Sequence, residues 1–239
     1  MKRILWICLL ALTLAMPAQA ETLTIAAGAG YKKLVTELAK VYETETGNKP
    51  ELIFGNMGQV VAQAKGSGVV DIIIGEKGFL DKAELGFTSF TSIGRGVLVL
   101  AWPKGKKLAA ATDVAKPEVK RLAMPDPKKA IYGRAGSEFL EKAGLTAAVK
   151  DKLLVVATVP QVTTYLLSGE VDAGFVNRTD VLDLGDKIGG YLEVDQSLYT
   201  PIVIGAGLLS TAKNPDNAKA FTAFLGSEKA KAVAKRHGM

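Results

Sequence analysis

Apolar residues follow two different spacings along the chain, and these spacings predict a regular succession of strands and helices. The apolar run over residues 23–26 fits a short strand, and a glycine-containing turn follows it at 27–30. From Tyr31 to Thr46 apolar residues recur every three or four positions, as in a helix with one buried face. Gly47 then stands where a glycine commonly ends a helix.

The same succession continues through the rest of the chain. Further strands are predicted at residues 51–54, 69–74, 97–101, 121–124, 153–157, 171–176 and 202–209. Helices are predicted from residue 59, over 134–143 and 161–167, and after Asn214-Pro215 and Gly226-Ser227. This alternation is typical of an α/β fold with a parallel sheet that is covered on both faces. A change of composition at residues 103–107 suggests a boundary between two lobes.

The first 20 residues have the three-part pattern of a secretory signal peptide. A basic start precedes an apolar run over residues 4–15, and Ala18-Gln19-Ala20 offers small side chains to a signal peptidase. The apolar run is shorter than the roughly 20 residues that span a bilayer. We therefore expect residues 1–20 to be removed, and the mature chain, starting at Glu21, to be soluble in the periplasm.

Cysteine content and charge narrow the class of protein. The single cysteine, Cys8, lies inside the apolar run, so the exported chain would contain no disulfide and no lipid-modified cysteine. The net charge is +6, and removal of Lys2 and Arg3 leaves +4. Basic residues are scattered except at residues 104–107, which fit a solvated loop better than a nucleic-acid surface. We expect no nucleic-acid partner.

Three predicted strand-to-helix turns carry groups that could bind an anion. At Gly28-Ala29-Gly30, backbone N–H groups can face a ligand beside the positive end of a helix. Lys33 stands where a dinucleotide-binding turn needs its third glycine. The segments Gly55-Asn56-Met57-Gly58 and Ile131-Tyr132-Gly133-Arg134 repeat the arrangement. A plain tight turn and a helix cap at Asn56 explain single turns equally well, but all three together predict one crevice at the carboxyl ends of the strands.

The residues offer no recognisable catalytic set. His237 is the only histidine, so a Ser/His/Asp arrangement or a histidine metal site has little to draw on. No cysteine nucleophile would remain after export, and the carboxylates show no paired spacing. We therefore expect no enzymatic activity, no cofactor and no metal ion bound by the protein itself.

Several blocks of residues, in order along the chain, resemble the periplasmic molybdate-binding proteins, which have the type II substrate-binding fold. Nearly the whole exported chain takes part in the resemblance. The blocks are Thr24-Ile25-Ala26-Ala27, residues 54–59 (FGNMGQ), 71–74 (DIII), 90–95 (FTSIGR) with 97–100 (VLVL), 132–135 (YGRA), 168–176 (SGEVDAGFV) and 199–202 (YTPI).

The resemblance implies an α/β architecture of two lobes joined by two crossing segments. The crossings would lie near residues 96–101 and 201–207. Lobe 1 would comprise residues 21–97 and 205–239, and lobe 2 residues 98–204. A small oxyanion would be held between the lobes by neutral donors at helix starts.

The resemblance also implies a set of ligand-binding residues. They are Ala29, Gly30, Tyr31, Asn56, Met57, Tyr132, Gly133, Val159 and Asn177. Two serine positions of the family fall on Gly30 and Met57, and a tyrosine position falls on Asn177, so three side-chain donors of the family differ here. Tyr31, Asn56, Tyr132 and Asn177 are candidate replacement donors. Arg134 and Arg178 are near enough in sequence to add charge, although solvated arginines would fit the same positions.

We therefore predict the periplasmic substrate-binding protein of an ABC importer. It would capture a small oxyanion such as molybdate or tungstate and deliver it, as a monomer, to the permease subunits of the importer. Two alternatives stay open. The same fold could bind a different small anion or polar solute, or the protein could be a periplasmic sensor that presents a surface to a receptor.

Overall fold

The structure, a computed structural model, describes residues 22–239, and the predicted signal peptide with Cys8 lies outside this range. The described chain forms two five-stranded sheets with helices packed around them. The strands are β1 (Thr24–Gly28), β2 (Glu51–Gly55), β3 (Ile72–Glu76), β4 (Phe87–Gly96), β5 (Leu98–Trp102), β6 (Leu122–Pro125), β7 (Leu153–Val156), β8 (Ala173–Asn177), β9 (Gly190–Glu193) and β10 (Ile202–Leu209). The α-helices are α1 (Lys32–Thr46), α2 (Met57–Ser67), α3 (Lys77–Asp81), α4 (Ile131–Lys142), α5 (Thr146–Val149), α6 (Val159–Ser168), α7 (Arg178–Leu184), α8 (Pro215–Phe224) and α9 (Glu228–Arg236).

The two sheets share one topology. The first has the strand order β2-β1-β3-β10-β4 and the second the order β7-β6-β8-β5-β9. In each, three strands are parallel, whereas β10 runs antiparallel to β3 and β4, and β5 antiparallel to β8 and β9. The predicted parallel strands are therefore present in both sheets, and each sheet also contains antiparallel strands that the sequence did not indicate. The apolar content of a strand indicates its burial and not its direction. A buried antiparallel strand such as β10 therefore has the same apolar sequence pattern as a buried parallel strand.

The chain passes between the sheets twice. It leaves the first sheet at the end of β4 and enters the second at β5, so the crossing is at residues 96–98. It returns between β9 and β10. The composition change at 103–107 lies after β5, inside the second lobe, and marks a surface loop rather than a lobe boundary. We propose that the lobes follow the sheets, with β10 wholly in lobe 1; the predicted boundary at residue 205 would divide that strand.

Buried strands and helix faces form the core. All residues of β1, β3, β5 and β8 are buried, as expected for strands covered on both faces. The predicted apolar face of α1 is confirmed by the burial of Leu34, Val35, Leu38, Ala39 and Tyr42, and Gly47 ends the helix with a φ of 74°.

Several elements differ from the sequence-based expectation. Helices α2, α4 and α6 begin two or three residues earlier than predicted, so the residues assigned to turns form their first turns. The half-exposed edge strand β4 and the short elements α3, α5, α7 and β9 were not predicted. Short elements hold too few residues to show a period, and β4 lacks a continuous apolar face.

Candidate functional site

A cleft between the two lobes brings four chain segments together. They are the 3-10 turn Ala29–Tyr31 after β1 and the first turns of α2, α4 and α6. The empty volume is about 300 Å³, including the solvent at its mouth. The residues that line it are Gly28, Ala29, Gly30, Tyr31, Gly55, Asn56, Met57, Ala130, Ile131, Tyr132, Thr158 and Val159.

Strand pairing explains why these segments meet. β1 and β2 are parallel and end side by side at Gly28 and Gly55. β6 and β7 likewise end side by side at Pro125 and Val156 in the other lobe. Each parallel pair therefore delivers two helix starts to the same edge of its sheet. The lobes contribute two segments each, and the cleft lies where the four segments face one another.

Side chains cap two of these helices almost completely. At the start of α2, the Gln59 N–H donates to Asn56 Oδ1 (2.9 Å), and the Asn56 N–H donates to Gln59 Oε1 (2.9 Å). At the start of α6, Thr158 and Gln161 form the same reciprocal pair, a capping box. The Gly58 N–H also reaches the Lys129 carbonyl of lobe 2 at 3.3 Å. In the first turns of α2 and α6, the N–H groups of Met57 and Val159 therefore make no hydrogen bond to another residue between 22 and 239.

Helix α4 has no side-chain cap. Its N-cap is Ala130, whose own N–H donates to the Asp126 carbonyl at 2.9 Å. The first four N–H groups of a helix have no partner within the helix. Within the described chain the N–H groups of Ile131, Tyr132 and Gly133 have no recorded partner, and Ile131 and Tyr132 line the cleft. Helix α4 therefore offers more free donors than either capped helix.

The positive potential of the cleft comes from the backbone. None of the described residues that line it carries a formal charge. Helix starts carry a partial positive charge, equivalent to roughly half an elementary charge each. Three α-helix starts directed at one small volume can therefore attract an anion without a charged side chain.

Both candidate arginines are engaged outside the cleft. Arg134 lies 3.3 Å from Glu76 and 3.6 Å from Glu138. Glu76 is buried on β3 of lobe 1, so the first of these pairs joins the lobes. Arg178 pairs with Glu193 at 3.1 Å and also donates to the backbone of Gly238. Neither side chain is among the lining residues.

Asn177 lies behind the cleft with its side chain already bonded. Its Nδ2 donates to the Gly30 carbonyl at 2.8 Å, and its Oδ1 accepts from the Asp180 N–H at 2.9 Å as the N-cap of α7. The residue is fully buried and is absent from the lining. Asn177 therefore holds the Gly30 turn against lobe 2, a role that the sequence did not indicate.

The tyrosine hydroxyls bond each other across the lobe boundary. The Tyr31 and Tyr132 oxygens are 2.5 Å apart. Burial raises the pKa of both phenols. The neighbouring Tyr132 raises the pKa of Tyr31 further, whereas the hydrogen bond with Tyr31 lowers that of Tyr132 by less than burial raises it, so both phenols stay protonated. Both hydroxyls lie against Gly96 at the crossing segment, where a Cβ atom would clash with them. The hydroxyl of Tyr132 is thus bonded inside the protein, whereas its N–H makes no hydrogen bond to another described residue.

Most predicted site residues are brought together. Seven of the nine line the cleft: Ala29, Gly30, Tyr31, Asn56, Met57, Tyr132 and Val159. Asn177 and Gly133 do not line it, and Gly133 instead packs closely on the Pro125 and Asp126 carbonyls. The lining residues that sequence reasoning missed are Ala130 and Thr158. Thr158 was detectable, because Thr-x-x-Gln before an apolar run is a capping-box pattern.

Comparison with known proteins shows the family of this chain. Residues 23–239 match the family model for bacterial extracellular solute-binding proteins. The chain belongs to the bacterial extracellular solute-binding proteins. This solute-binding protein is 30% identical over 233 residues to the molybdate-binding protein ModA of Azotobacter vinelandii, covering 94% of this chain and 92% of that protein. It is 28% identical to the ModA of Rhodobacter capsulatus, covering 96% and 92%.

A solved structure supports the fold of this solute-binding protein. The periplasmic molybdate-binding protein of Azotobacter vinelandii superposes with a TM-score of 0.84 at 23% identity, covering 90% of this chain and 97% of that one. The predicted type II fold and the resemblance to molybdate-binding proteins are therefore confirmed. Between residues 22 and 239 no helix is both long and apolar enough to cross a bilayer. The same range holds no group of three His, Cys, Asp or Glu residues that could bind a metal ion.

Proposed function

We propose that this protein captures a small, fully hydrogen-bond-accepting oxyanion, with molybdate and tungstate as the first candidates, for an ABC importer. One observation carries the proposal: unpartnered N–H groups at the starts of α2, α4 and α6 converge on an uncharged cleft. A tetrahedral oxyanion offers acceptors in several directions and gains from each helix dipole.

The relatives support the same ligand class, since two of them are named as molybdate-binding proteins. We propose that the bound anion is delivered by the monomeric protein in the periplasm to permease subunits. Gly30 and Met57 provide no hydroxyl, so the ligand would be held mainly by backbone donors. Backbone donors do not depend on side-chain identity, and the change of side chains therefore leaves this donor set intact.

Titration calorimetry and thermal unfolding with molybdate, tungstate, sulfate and phosphate test the proposal. Sodium chloride at matched ionic strength is the control, because a nonspecific salt effect would appear there as well. We expect one-to-one binding, and a ligand present at 100 times its Kd should raise the free energy of unfolding by about 2.7 kcal/mol. If none of the four oxyanions binds or stabilises the protein beyond the chloride control, the proposed ligand class is wrong.

A further inference from the structure

The last three described residues fold back onto the body of the protein. After α9, the N–H of Gly238 donates to the Lys235 carbonyl (3.0 Å) and that of Met239 to the Ala234 carbonyl (2.9 Å). Gly238 has a φ of 77°. These two bonds around a left-handed glycine form the helix-ending arrangement known as a Schellman motif. Residues 237–239 are therefore held in one defined shape.

These residues contact the other lobe through α7. The Arg178 guanidinium donates to the Gly238 carbonyl through Nε at 2.9 Å and through Nη2. Gly238 is also so close to α7 that a Cβ atom there would lie 2.7 Å from Leu182 Cδ1 and 3.1 Å from Arg178 Nε. Hydrogen bonds from a charged donor are among the stronger types, and two of them here join the residues after α9 of lobe 1 to α7 of lobe 2.

His237 extends the same contact. Its ring is buried, with Nε2 2.7 Å from Glu37 Oε2 of α1 and Nδ1 3.6 Å from Asp183 Oδ1 of α7. Lys33 of α1 approaches the same Asp183 at 3.5 Å. Met239 lies over Gly94 of β4, two residues before the chain leaves the first sheet. The contact thus adjoins the crossing segment about which the lobes would move.

We propose that residues 237–239, bound by Arg178, Leu182 and Asp183, are a clasp that holds the two lobes together independently of the ligand. None of these six residues lines the cleft, so the contact needs no ligand atom. This contact is made in the arrangement that forms the cleft, so it favours that closed arrangement over one in which the contact is broken. Because the lobes must close to surround a ligand, the clasp raises the binding-competent fraction and with it the apparent affinity.

Gly238→Ala tests the clasp, because the added Cβ must push against α7. Gly47→Ala is the matched control: Gly47 ends α1 in the same lobe with a φ of 74°, and nothing lies within 4 Å of its Cβ position. Both changes place alanine in the same unfavourable backbone region, but only the first disturbs a contact between lobes. Arg178→Ala is a second variant, with Glu193→Gln as its control, since Glu193 pairs with Arg178 within lobe 2.

The readout is the distance between the lobes, measured by pulsed electron paramagnetic resonance. Spin labels at Lys65→Cys and Ala148→Cys, exposed on α2 and α5, report this distance in the exported chain. Without added anion, the parent protein should show a short-distance population. Gly238→Ala and Arg178→Ala should each shift it towards longer distances, while Gly47→Ala and Glu193→Gln should not.

Anion affinity provides a second readout. If an oxyanion binds, Gly238→Ala and Arg178→Ala should weaken it roughly threefold to tenfold through a smaller closed fraction. Absence of a short-distance population in the anion-free parent protein, or equal distances in Gly238→Ala and Gly47→Ala, would overturn the clasp even if anions bind well. Failure of every oxyanion to bind would overturn the proposed function, whereas the anion-free distances would still decide the clasp.

Discussion

The helix starts that face the cleft differ in how their N–H groups are satisfied. α2 and α6 carry complete capping boxes, Asn56 with Gln59 and Thr158 with Gln161. α4 begins at Ala130, which offers no capping side chain. The capped helices each keep one unpartnered N–H in the first turn within the described chain, whereas α4 keeps three.

The difference separates two uses of a helix start. A capping box stabilises the helix and orients its first turn, but it uses the donors at the N-cap and at the third helical position. An alanine at the N-cap forgoes that stabilisation, which is typically about 1 kcal/mol, and leaves the donors for a ligand. We infer that α2 and α6 chiefly shape the cleft, while α4 supplies more lining donors than either of them, from Ile131 and Tyr132.

The largest expected effect comes from giving α4 the cap it lacks. In Ala130→Asp the carboxylate would accept hydrogen bonds from the free N–H groups of α4. It would also place a negative charge in the cleft. Two like charges 4 Å apart repel by roughly 4 kcal/mol at an effective dielectric constant of 20. We expect the affinity for oxyanions, measured by calorimetry, to fall at least 100-fold.

Ala130→Asn is the control for charge, because asparagine caps a helix about as well as aspartate. It should weaken binding roughly tenfold, by competition for the same donors. If both variants bind oxyanions as the parent protein does, α4 is not the main donor.

A second change concerns Asn177, which caps α7 and also bonds the Gly30 turn. Asn177→Asp keeps the acceptor for the Asp180 N–H but replaces the amide that donates to the Gly30 carbonyl. Because Asn177 is fully buried, the carboxylate would face a carbonyl oxygen without a donor between them. We expect the free energy of unfolding, from urea titration without anion, to fall by about 2–3 kcal/mol.

Asn56→Asp is the matched change for Asn177→Asp. Asn56 also caps a helix, but its side-chain nitrogen makes no hydrogen bond to another residue between 22 and 239. It should alter the free energy of unfolding by less than about 0.5 kcal/mol. Equal losses in the two variants would show that the bond from Asn177 to Gly30 adds nothing to the free energy of unfolding.

The tyrosine pair tests whether Tyr132 acts on the ligand through its hydroxyl. Tyr31→Phe and Tyr132→Phe each remove the same buried bond between the lobes, so each should cost about 1 kcal/mol of unfolding free energy. The double variant should cost little more than either single one, because the shared bond is lost once. A fully additive double variant, with affinity lost only in Tyr132→Phe, would place that hydroxyl on the ligand instead.

The last test concerns the capping boxes themselves. Asn56→Ala and Thr158→Ala should each lower the free energy of unfolding by about 1 kcal/mol. Anion affinity should change less than threefold in both, because the donors that we propose for the ligand on these two helices are the N–H groups of Met57 and Val159, which both variants keep. A tenfold loss of affinity in Asn56→Ala at unchanged stability would mean that the Asn56 amide contacts the ligand.

Local features of the fold could be predicted from the sequence because they are encoded within a few residues. The buried face of α1 and its end at Gly47 follow from a period of three to four residues and one glycine. The glycine-containing turns after β1 and β2 were recognisable for the same reason, and seven of the nine predicted site residues line the cleft.

Tertiary structure decided what depends on contacts distant in sequence. The antiparallel direction of β10 is set by its neighbours β3 and β4, more than 100 residues earlier, and its own apolar residues carry no sign of direction. The amide of Asn177 finds its acceptor 147 residues away, on Gly30, and the hydroxyl of Tyr132 finds Tyr31 101 residues away. A polar side chain in the sequence shows only that a bond can be made. Which group receives that bond, ligand or protein, is fixed by the packing of one lobe on the other, since a buried donor must be satisfied by whatever acceptor the fold places beside it.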